Sequence, residues 1–318
     1  MALILISTIV DAPVSTTFTS VLGNSSRKII VPAYFYPSLW NTGSMEYYYW
    51  AKLFDVANRL GPQLIVIVNP FNGPGDMVDP YYSKVIEELI ARRAIVLGYV
   101  YTKWAQRPIE EVLGDVDTWF TLYPGVAGIF VDEVSPEGSE TVVNYYQAVT
   151  SKVKSRNGLV VCNPGTPVRN PASYNEVCDM VIVFEDGLTE YMRNRDIVRE
   201  AIKSVKNPGV ILEGVLEDPD SALSILEEDG VKVVYVYHKF YSYNELSIHI
   251  DSLVKWVAQP SSNNAEKTSA LLASPYLLMG ITVALSLFLA LILRSVDEAR
   301  TPRSTGKVLV NLSHRLRV

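Results

Sequence analysis

The stretch Gly128-Ile129-Phe130-Val131-Asp132-Glu133 decides how the rest of the chain is interpreted. A short apolar run that starts at a glycine and ends at an acidic pair is typical of a buried parallel strand that surfaces at a catalytic rim. Buried charge must be paired or must shift its pKa, so two adjacent carboxylates here indicate a site. The plainer alternative is that Asp132 caps the next helix and Glu133 meets a nearby Arg or Lys. A second acidic strand end, at Glu185, favours the site.

On both sides of this stretch, residues 27–258 alternate between apolar runs and helical patterns. The apolar runs predict eight strands, at 29–36, 64–68, 94–101, 128–131, 159–162, 180–184, 209–212 and 231–237. Helical spacing predicts eight helices, at 46–60, 80–93, 108–120, 141–156, 171–177, 189–205, 220–228 and 243–257. Eight such units predict an α/β fold, the (β/α)8 TIM barrel, as the catalytic domain. A doubly wound sheet is the alternative, but it seldom repeats the unit so evenly.

The two ends of the chain differ in composition from this central region. Residues 271–293 carry no charge and are long enough to cross a bilayer of roughly 30 Å as a helix. Residues 294–318 are rich in arginine, so the positive-inside rule predicts a cytoplasmic tail, an extracellular barrel and a single-pass protein of the cell membrane. A polar linker is predicted at 259–270. Residues 1–26 hold an apolar run without a preceding Lys or Arg, which indicates a degenerate or clipped signal peptide.

Charge and cysteine content exclude some functional classes. A formal net charge of −6 argues against a general nucleic-acid binder, which needs a basic face. Cys162 and Cys178 are the two cysteines, and neither belongs to a CxxC or Cys/His cluster, so no zinc site is expected. They form either one disulfide or two buried thiols, and we favour two thiols.

In a TIM barrel the active site lies at the carboxyl ends of the strands. The side chains at these ends are acidic, amide or aromatic, which is what glycosidic bond cleavage requires: one carboxyl group protonates the departing oxygen, and another attacks the sugar or activates water. The candidate catalytic residues are Asp132, Glu185 and Glu133. The candidate substrate-binding residues are Tyr34, Tyr36, Asn69, Tyr99, Tyr101, Asn163, Tyr237 and His238.

Several of these residues also have a purely structural explanation. Asn69 and Asn163 each precede a proline and would fix loop geometry, with sugar contact as the second option. His238 would be a substrate hydrogen bond or proton relay, or equally a rim histidine with a local partner. Strand alternation puts Asp132 and Glu133 on opposite faces, so we expect one of the two to point into the pocket.

Motifs along most of the chain, taken in order, resemble spherulin-4-type proteins. They are Val31-Pro32-Ala33-Tyr34-Phe35-Tyr36-Pro37-Ser38 with Trp40, Val68-Asn69-Pro70 with Gly73-Pro74-Gly75, Gly98-Tyr99-Val100-Tyr101-Thr102, the opening stretch 128–133, Asn163-Pro164-Gly165-Thr166 and Phe184-Glu185. The resemblance implies a TIM barrel. For some members it also implies endo-acting hydrolysis of α-1,4-linked galactosamine or N-acetylgalactosamine polymers. By this resemblance the acid pair of the fourth strand falls on Asp132 and Glu133, and the acid of the sixth on Glu185.

We therefore expect a cell-surface glycoside hydrolase that acts on an amino-sugar polysaccharide and uses no cofactor or metal. Asp132 would be the nucleophile or transition-state stabiliser, Glu185 the general acid/base and Glu133 a supporting carboxylate. One alternative is a non-catalytic carbohydrate-binding or structural protein of the cell surface. A further alternative is a divalent-metal lyase or isomerase that uses Asp132, Glu185 and Glu213, since hard cations prefer carboxylate oxygens.

Overall fold

A computed structural model describes residues 26–259, which form a closed barrel of eight parallel strands. The strands are β1 (Lys28–Ala33), β2 (Leu64–Val68), β3 (Ile95–Tyr101), β4 (Gly128–Asp132), β5 (Leu159–Cys162), β6 (Met180–Gly187), β7 (Pro208–Glu213) and β8 (Val233–Val236). Each strand pairs with the next, and β1 closes the ring by pairing with β8. The predicted TIM barrel is confirmed.

Helices follow the strands along the described residues, as the sequence predicts. They are α1 (Met45–Leu60), α2 (Pro80–Ala91), α3 (Ile109–Leu122), α4 (Glu140–Lys154), α5 (Pro171–Val177), α6 (Leu188–Arg193), α7 (Arg195–Ser204), α8 (Asp220–Glu228) and α9 (Ile250–Ala258). The helix predicted at 189–205 is two helices, α6 and α7, which meet at Asn194.

The last predicted helix, 243–257, begins seven residues late, at Ile250. Groups in the preceding segment bond to the barrel instead of to a helical neighbour. The Tyr243 carbonyl accepts the backbone N–H of Tyr34, the Ser247 hydroxyl donates to the Val236 carbonyl, and the His249 ring bonds the Val215 carbonyl. These bonds hold residues 237–249 as a connection that runs across the carboxyl ends of the strands.

The strands form because their residues are apolar at nearly every position and are buried on both faces, as in other parallel sheets. All five residues of β2 are fully buried. Gly128 allows β4 to lie close to β5, because a Cβ atom at this position would stand 2.2 Å from the Leu159 carbonyl oxygen. The glycine that opens the deciding stretch is thus required for strand packing.

Two details of the barrel determine where the acids lie. Tyr101, the last residue of β3, pairs with Asp132, the last residue of β4, so both reach the rim together. In β6 the register against β7 shifts between Ile182 and Phe184. An irregularity of this kind changes the direction of the side chains that follow it, and Glu185 is the next residue.

Arg27 joins the two ends of the described chain at the opposite, N-terminal face of the barrel. Its guanidinium donates to the carbonyls of Trp256 (2.6 Å) and Gln259 (3.1 Å) and lies over the Trp256 ring, 4.9 Å from its centre. Glu227 completes the arrangement with an ion pair to the same guanidinium.

Cys162 and Cys178 form a disulfide with a Cα–Cα distance of 5.9 Å. The prediction of two buried thiols is therefore wrong. Cys162 ends β5, and the pairing of Val161 with Met180 brings the segment before β6 alongside it. This strand register, which decides whether two cysteines meet, is not readable from the spacing of the cysteines.

The predictions for the chain ends are not tested. The predicted membrane span (271–293) and tail (294–318) lie outside the described residues, as do the signal segment (1–26) and linker (259–270) apart from residues 26 and 259. Between residues 26 and 259, none of the helices has the length and apolar character that a bilayer crossing requires.

Candidate active site

The acids Asp132 and Glu185 lie on either side of Asn163 at the carboxyl end of the barrel. Asp132 ends β4, Asn163 follows β5 and Glu185 belongs to β6, so three adjacent strands bring them together. The Asn163 side-chain nitrogen donates to Asp132 Oδ1 (2.8 Å) and to Glu185 Oε2 (2.6 Å). Two bonds of these lengths to one nitrogen keep the two oxygens within about 5.4 Å of each other.

Asp132 is held by donors on several sides. Besides Asn163, the Tyr99 hydroxyl donates to Oδ2 (2.8 Å), and the backbone N–H of Glu133 bonds the same carboxylate. Burial raises the pKa of Asp132 above its usual value, and these three hydrogen bonds oppose that rise by stabilising the charged form. The pKa of Asp132 is therefore raised on balance, and the three donors offset part of the cost of burying its charge.

Glu185 holds its proton to a higher pH than a free glutamic acid does. The pKa of Glu185 is raised to about 7, mainly by burial and to a smaller extent by the charge of Asp132. Hydrogen bonds from Tyr243 and Asn163 oppose the rise. The Tyr243 hydroxyl donates to Glu185 Oε1 at 2.5 Å. Because the two carboxyl groups are close, Asp132 ionises first and Glu185 keeps its proton to near-neutral pH. Two carboxyl groups with unequal proton affinities are the arrangement that acid-assisted bond cleavage needs.

Glu133 does not follow the strand alternation used to predict its orientation. β4 ends at Asp132, and Glu133 has a left-handed backbone with φ 50°. Its carbonyl accepts the backbone N–H of Trp104 (2.7 Å) and the hydroxyl of Thr102 (2.8 Å), which hold the turn. Burial and the charge of Asp132 raise the pKa of Glu133, so its carboxylate lies close enough to sense its neighbour. Because β4 ends before Glu133, strand alternation does not fix the direction of this side chain, and the expectation that one of the two acids points into the pocket stays a prediction.

The three acids remain accessible, since the side chains of Asp132, Glu133 and Glu185 are each partly exposed. Two cavities lie elsewhere on the rim, and none of these three acids lines either one. One of about 460 Å³ is lined by Phe71 and Tyr101, among others, and another of about 430 Å³ is lined by Glu213 and its neighbours.

The acids differ in their contact with positive charge, since Lys103 lies near Glu133 and acts to lower its pKa. Among residues 26–259, no Lys or Arg forms an ion pair with Asp132, Glu185 or Glu213. In the same part of the chain, no group of three or more His, Cys, Asp or Glu side chains is arranged to hold a metal ion. The carboxylates are instead held by amide, phenol and backbone donors.

A family model matches residues 28–257, which include every strand and all the acids described above; its description is spherulation-specific family 4. The chain belongs to this family. The curated relative spherulin-4 of Physarum polycephalum is 31% identical over 186 residues, covering 58% of this chain and 52% of the relative. The chain thus spans about half the length of the curated relative that it matches.

A solved structure, Aspergillus clavatus Sph3 in complex with GalNAc, is similar to this member of spherulation-specific family 4. It superposes with a TM-score of 0.62 and 24% identity, covering 74% of this chain and 99% of that chain. At this identity the likeness shows a shared fold.

Among the predicted substrate-binding residues of this family member, two tyrosines surround the acids. Tyr99 is almost fully buried and donates to Asp132, so it orients the acid. Tyr34 is partly exposed, and its ring contacts the rings of Tyr99 (5.4 Å between centroids) and Tyr243 (5.7 Å).

Other predicted binding residues lie around the rim with local partners. The Tyr36 hydroxyl donates to Asp79, the Asn69 side-chain oxygen accepts the Gly73 N–H, and the Tyr101 ring lies under the Arg107 guanidinium at 4.4 Å. The Asn69 contact matches the loop-fixing explanation.

Of the two remaining predicted binding residues, one is buried and the other already has a partner. Tyr237 is fully buried, with its ring stacked against Tyr235 (5.8 Å), so the prediction that it contacts substrate is wrong. The alternation of side chains along a strand could not reveal this burial, because it depends on Tyr243, whose ring lies 5.0 Å from that of Tyr237. His238 Nε2 lies 2.7 Å from Glu245 Oε1, as expected of a rim histidine with a local partner.

Sequence reasoning missed Tyr243 and considered Glu213 only as a metal ligand. Tyr243 was assigned to a helix, although four aromatic residues within 237–243 directly after a strand could have marked a rim segment. In the structure the Tyr243 hydroxyl donates to Glu185 and lies near Glu213, and the backbone N–H of Tyr241 donates to Glu213 Oε1 at 3.1 Å.

Proposed function

We propose that this chain is a glycoside hydrolase that cleaves an amino-sugar polysaccharide of the galactosamine or N-acetylgalactosamine type. Asp132 is the nucleophile, Glu185 the general acid/base and Glu133 a supporting carboxylate. The observation that carries the proposal is the single Asn163 nitrogen that joins two carboxyl groups of unequal proton affinity.

The unequal proton affinities match the two roles. In the first step an Asp132 oxygen bonds to the anomeric carbon while the bond to the leaving sugar oxygen breaks, and Glu185 gives that oxygen its proton. In the second step the Glu185 carboxylate takes a proton from water, the water oxygen bonds to the same carbon, and Asp132 is released.

The separation of the acids favours retention of configuration. Retaining enzymes hold their two carboxyl groups about 5–5.5 Å apart, whereas inverting enzymes leave roughly 6.5–9.5 Å for a water. The nearer oxygens of Asp132 and Glu185 are within about 5.4 Å, the limit set by their bonds to Asn163. Product anomers followed by NMR should therefore retain the configuration of the substrate.

The substrate class is supported by similarity. The chain belongs to spherulation-specific family 4, and the Sph3 structure that shares its fold binds GalNAc. The aromatic side chains at the rim, with Trp40 exposed over 59% of its surface, offer flat faces on which sugar rings stack.

The proposed location is the outer face of the cell membrane, with the uncharged residues 271–293 as the anchor and the C-terminus in the cytoplasm. The Cys162–Cys178 disulfide supports an oxidising surrounding for the barrel, because disulfides persist outside the cytosol.

The test is reducing-end release from galactosamine-containing polysaccharides by the purified full chain. Asp132→Asn and Glu185→Gln should each lower kcat by about 10²–10⁴-fold. Glu110→Gln, on the exposed face of α3, is the matched control and should retain wild-type activity. Undiminished activity in both acid variants would contradict these roles. Polymer binding without any released ends in the wild type would instead favour the non-catalytic carbohydrate-binding alternative.

A further inference from the structure

The Tyr243 hydroxyl lies between two carboxyl groups that belong to different strands. It donates to Glu185 Oε1 at 2.5 Å, and the Glu213 carboxyl group lies near enough to act on the same hydroxyl. Glu213 ends β7 and is only 3% exposed, and its Oε1 accepts the Tyr241 N–H. Both bonding groups, Tyr243 and Tyr241, come from the connection 237–249, which runs across the strand ends.

A phenol has one hydrogen, so Tyr243 donates to one of these carboxylates at a time. Burial and the nearby carboxylates raise the pKa of Tyr243 well above its usual value, which keeps the hydroxyl protonated. When Tyr243 donates to Glu213, its oxygen is left with lone pairs toward Glu185, and this arrangement suits a Glu185 that carries its own proton. When Glu185 is ionised, the hydroxyl donates to Glu185 instead.

We propose that Tyr243 and Glu213 are positioning residues that let Glu185 alternate between general acid and general base, through rotation of the Tyr243 hydroxyl. The proposal rests on the proposed function of Glu185. The hydroxyl points to Glu213 while Glu185 holds its proton, and it turns to Glu185 once that proton has passed to the leaving sugar. No covalent bond forms or breaks at Tyr243. When Glu185 later takes a proton from water, the Tyr243 hydroxyl turns back toward Glu213.

Other groups facing Glu185 and Tyr243 leave this arrangement intact. Asp132 on β4 and Glu213 on β7 both act to raise the pKa of Glu185, and Asn163 after β5 acts to lower it. Tyr34, after β1, is a neutral phenol whose ring packs against Tyr243. Asp186 on β6 acts on Glu213 and raises its pKa.

The two positioning residues should shift Glu185 in opposite directions. Tyr243→Phe removes a donor to the Glu185 carboxylate, so the pKa of Glu185 should rise. Glu213→Gln removes a negative charge and leaves only a neutral, weaker acceptor to compete for the Tyr243 hydroxyl, so the pKa of Glu185 should fall. Each shift should be on the order of one pH unit.

The experiment follows the carboxyl resonances of the ligand-free, full chain labelled with [13C]glutamate as the pH is varied, with Glu185→Gln assigning the Glu185 signal. Wild type, Tyr243→Phe and Glu213→Gln are compared, and Glu217→Gln serves as the control. Glu217 is exposed four residues after Glu213, so its loss should leave the Glu185 titration unchanged. The basic limb of the pH–kcat/KM profile should move in the same direction as each titration.

Opposite shifts support the proposal, while unchanged titrations or shifts of the same sign overturn it. If one variant loses the wild-type circular dichroism spectrum, the other still tests the proposal. The direction of the Glu185 pKa shift is predicted separately for each variant. The titration needs no substrate. A wild type that hydrolyses no polysaccharide would therefore count against the proposed function, and the titration would separately report whether Tyr243 couples the two acids.

Discussion

Asn163 bonds both candidate catalytic acids with one amide group, so its loss should disturb both at once. Removing a hydrogen bond to a charged group costs about 1.5–3 kcal/mol, which corresponds to roughly 10–100-fold in rate. We therefore expect Asn163→Ala to lower kcat by that factor in a reducing-end assay. Asn175→Ala is the matched control, because the Asn175 side chain bonds Ser204 and Lys206 away from the acids. A variant at Asn163 with wild-type kcat would contradict the bridging role.

Glu185 should make the protein less stable as the pH rises. The pKa of Glu185 is raised from 4.5 to about 7 in the folded state, so folding binds a proton between these values. The stability linked to this proton is complete below about pH 4.5 and is lost as the pH rises through about 7.

Glu185→Gln removes this dependence. The variant should match the wild type near pH 5 and exceed its free energy of unfolding at pH 8 by on the order of 1–3 kcal/mol. Urea denaturation at the two pH values measures the difference, and Glu110→Gln should show none. A variant less stable than the wild type at pH 8 would show that the lost hydrogen bonds outweigh the relieved charge.

At the scale of elements, the sequence predicted the strands well because each is a continuous apolar run that parallel pairing buries. The rim was harder to predict. Residues 237–249 were assigned in part to a helix, yet their bonds go to strand ends that are distant along the chain. The positions of Asp132 and Glu185 followed from the strand ends, whereas the roles of Asn163 and Tyr243 depend on register and side-chain direction, which one sequence does not encode locally.

An aromatic platform is formed by Tyr36 and Trp40, which follow β1, and by Tyr81 in the first turn of α2. The Trp40 and Tyr81 rings are 4.4 Å apart, and Tyr36 is fixed by its bond to Asp79, which also accepts the backbone N–H of Tyr81 in the first turn of α2. Because the platform is built on a helix cap, its rings are held in place before any ligand arrives.

If this platform binds sugars beyond the cleaved bond, Trp40→Ala should weaken binding of long polymers more than of short oligomers. A lost ring contact of about 1 kcal/mol would raise KM for polymer about fivefold and leave kcat unchanged. Ile197→Ala, an exposed apolar side chain on α7, is the control. Equal effects on polymer and oligomer would contradict the prediction.

At the scale of the whole molecule, the disulfide is the clearest case in which the sequence was not sufficient. Cys162 precedes Asn163 directly, so the disulfide also restrains the strand end that presents the bridging amide. The two cysteines are 16 residues apart, and closing a loop of that size contributes about 3 kcal/mol in the chain-entropy description.

The double variant Cys162→Ser/Cys178→Ser should therefore lose about 3 kcal/mol of unfolding free energy. Reduction of the wild type with dithiothreitol should produce a similar loss, measured by chemical denaturation, and should have no effect on the double variant. Equal stability of the reduced and oxidised wild type would mean that the cross-link does not restrain the unfolded chain.

Arg27 holds residues 27 and 259 close together at the N-terminal face of the barrel. A short glycine–serine bridge could join these positions, and a new start could then be opened between α7 and β7 without interrupting any strand pairing. A circularly permuted gene of this kind should still yield the folded barrel. In a closed ring every strand pairs with two neighbours, so the pairing does not depend on which strand comes first in the chain.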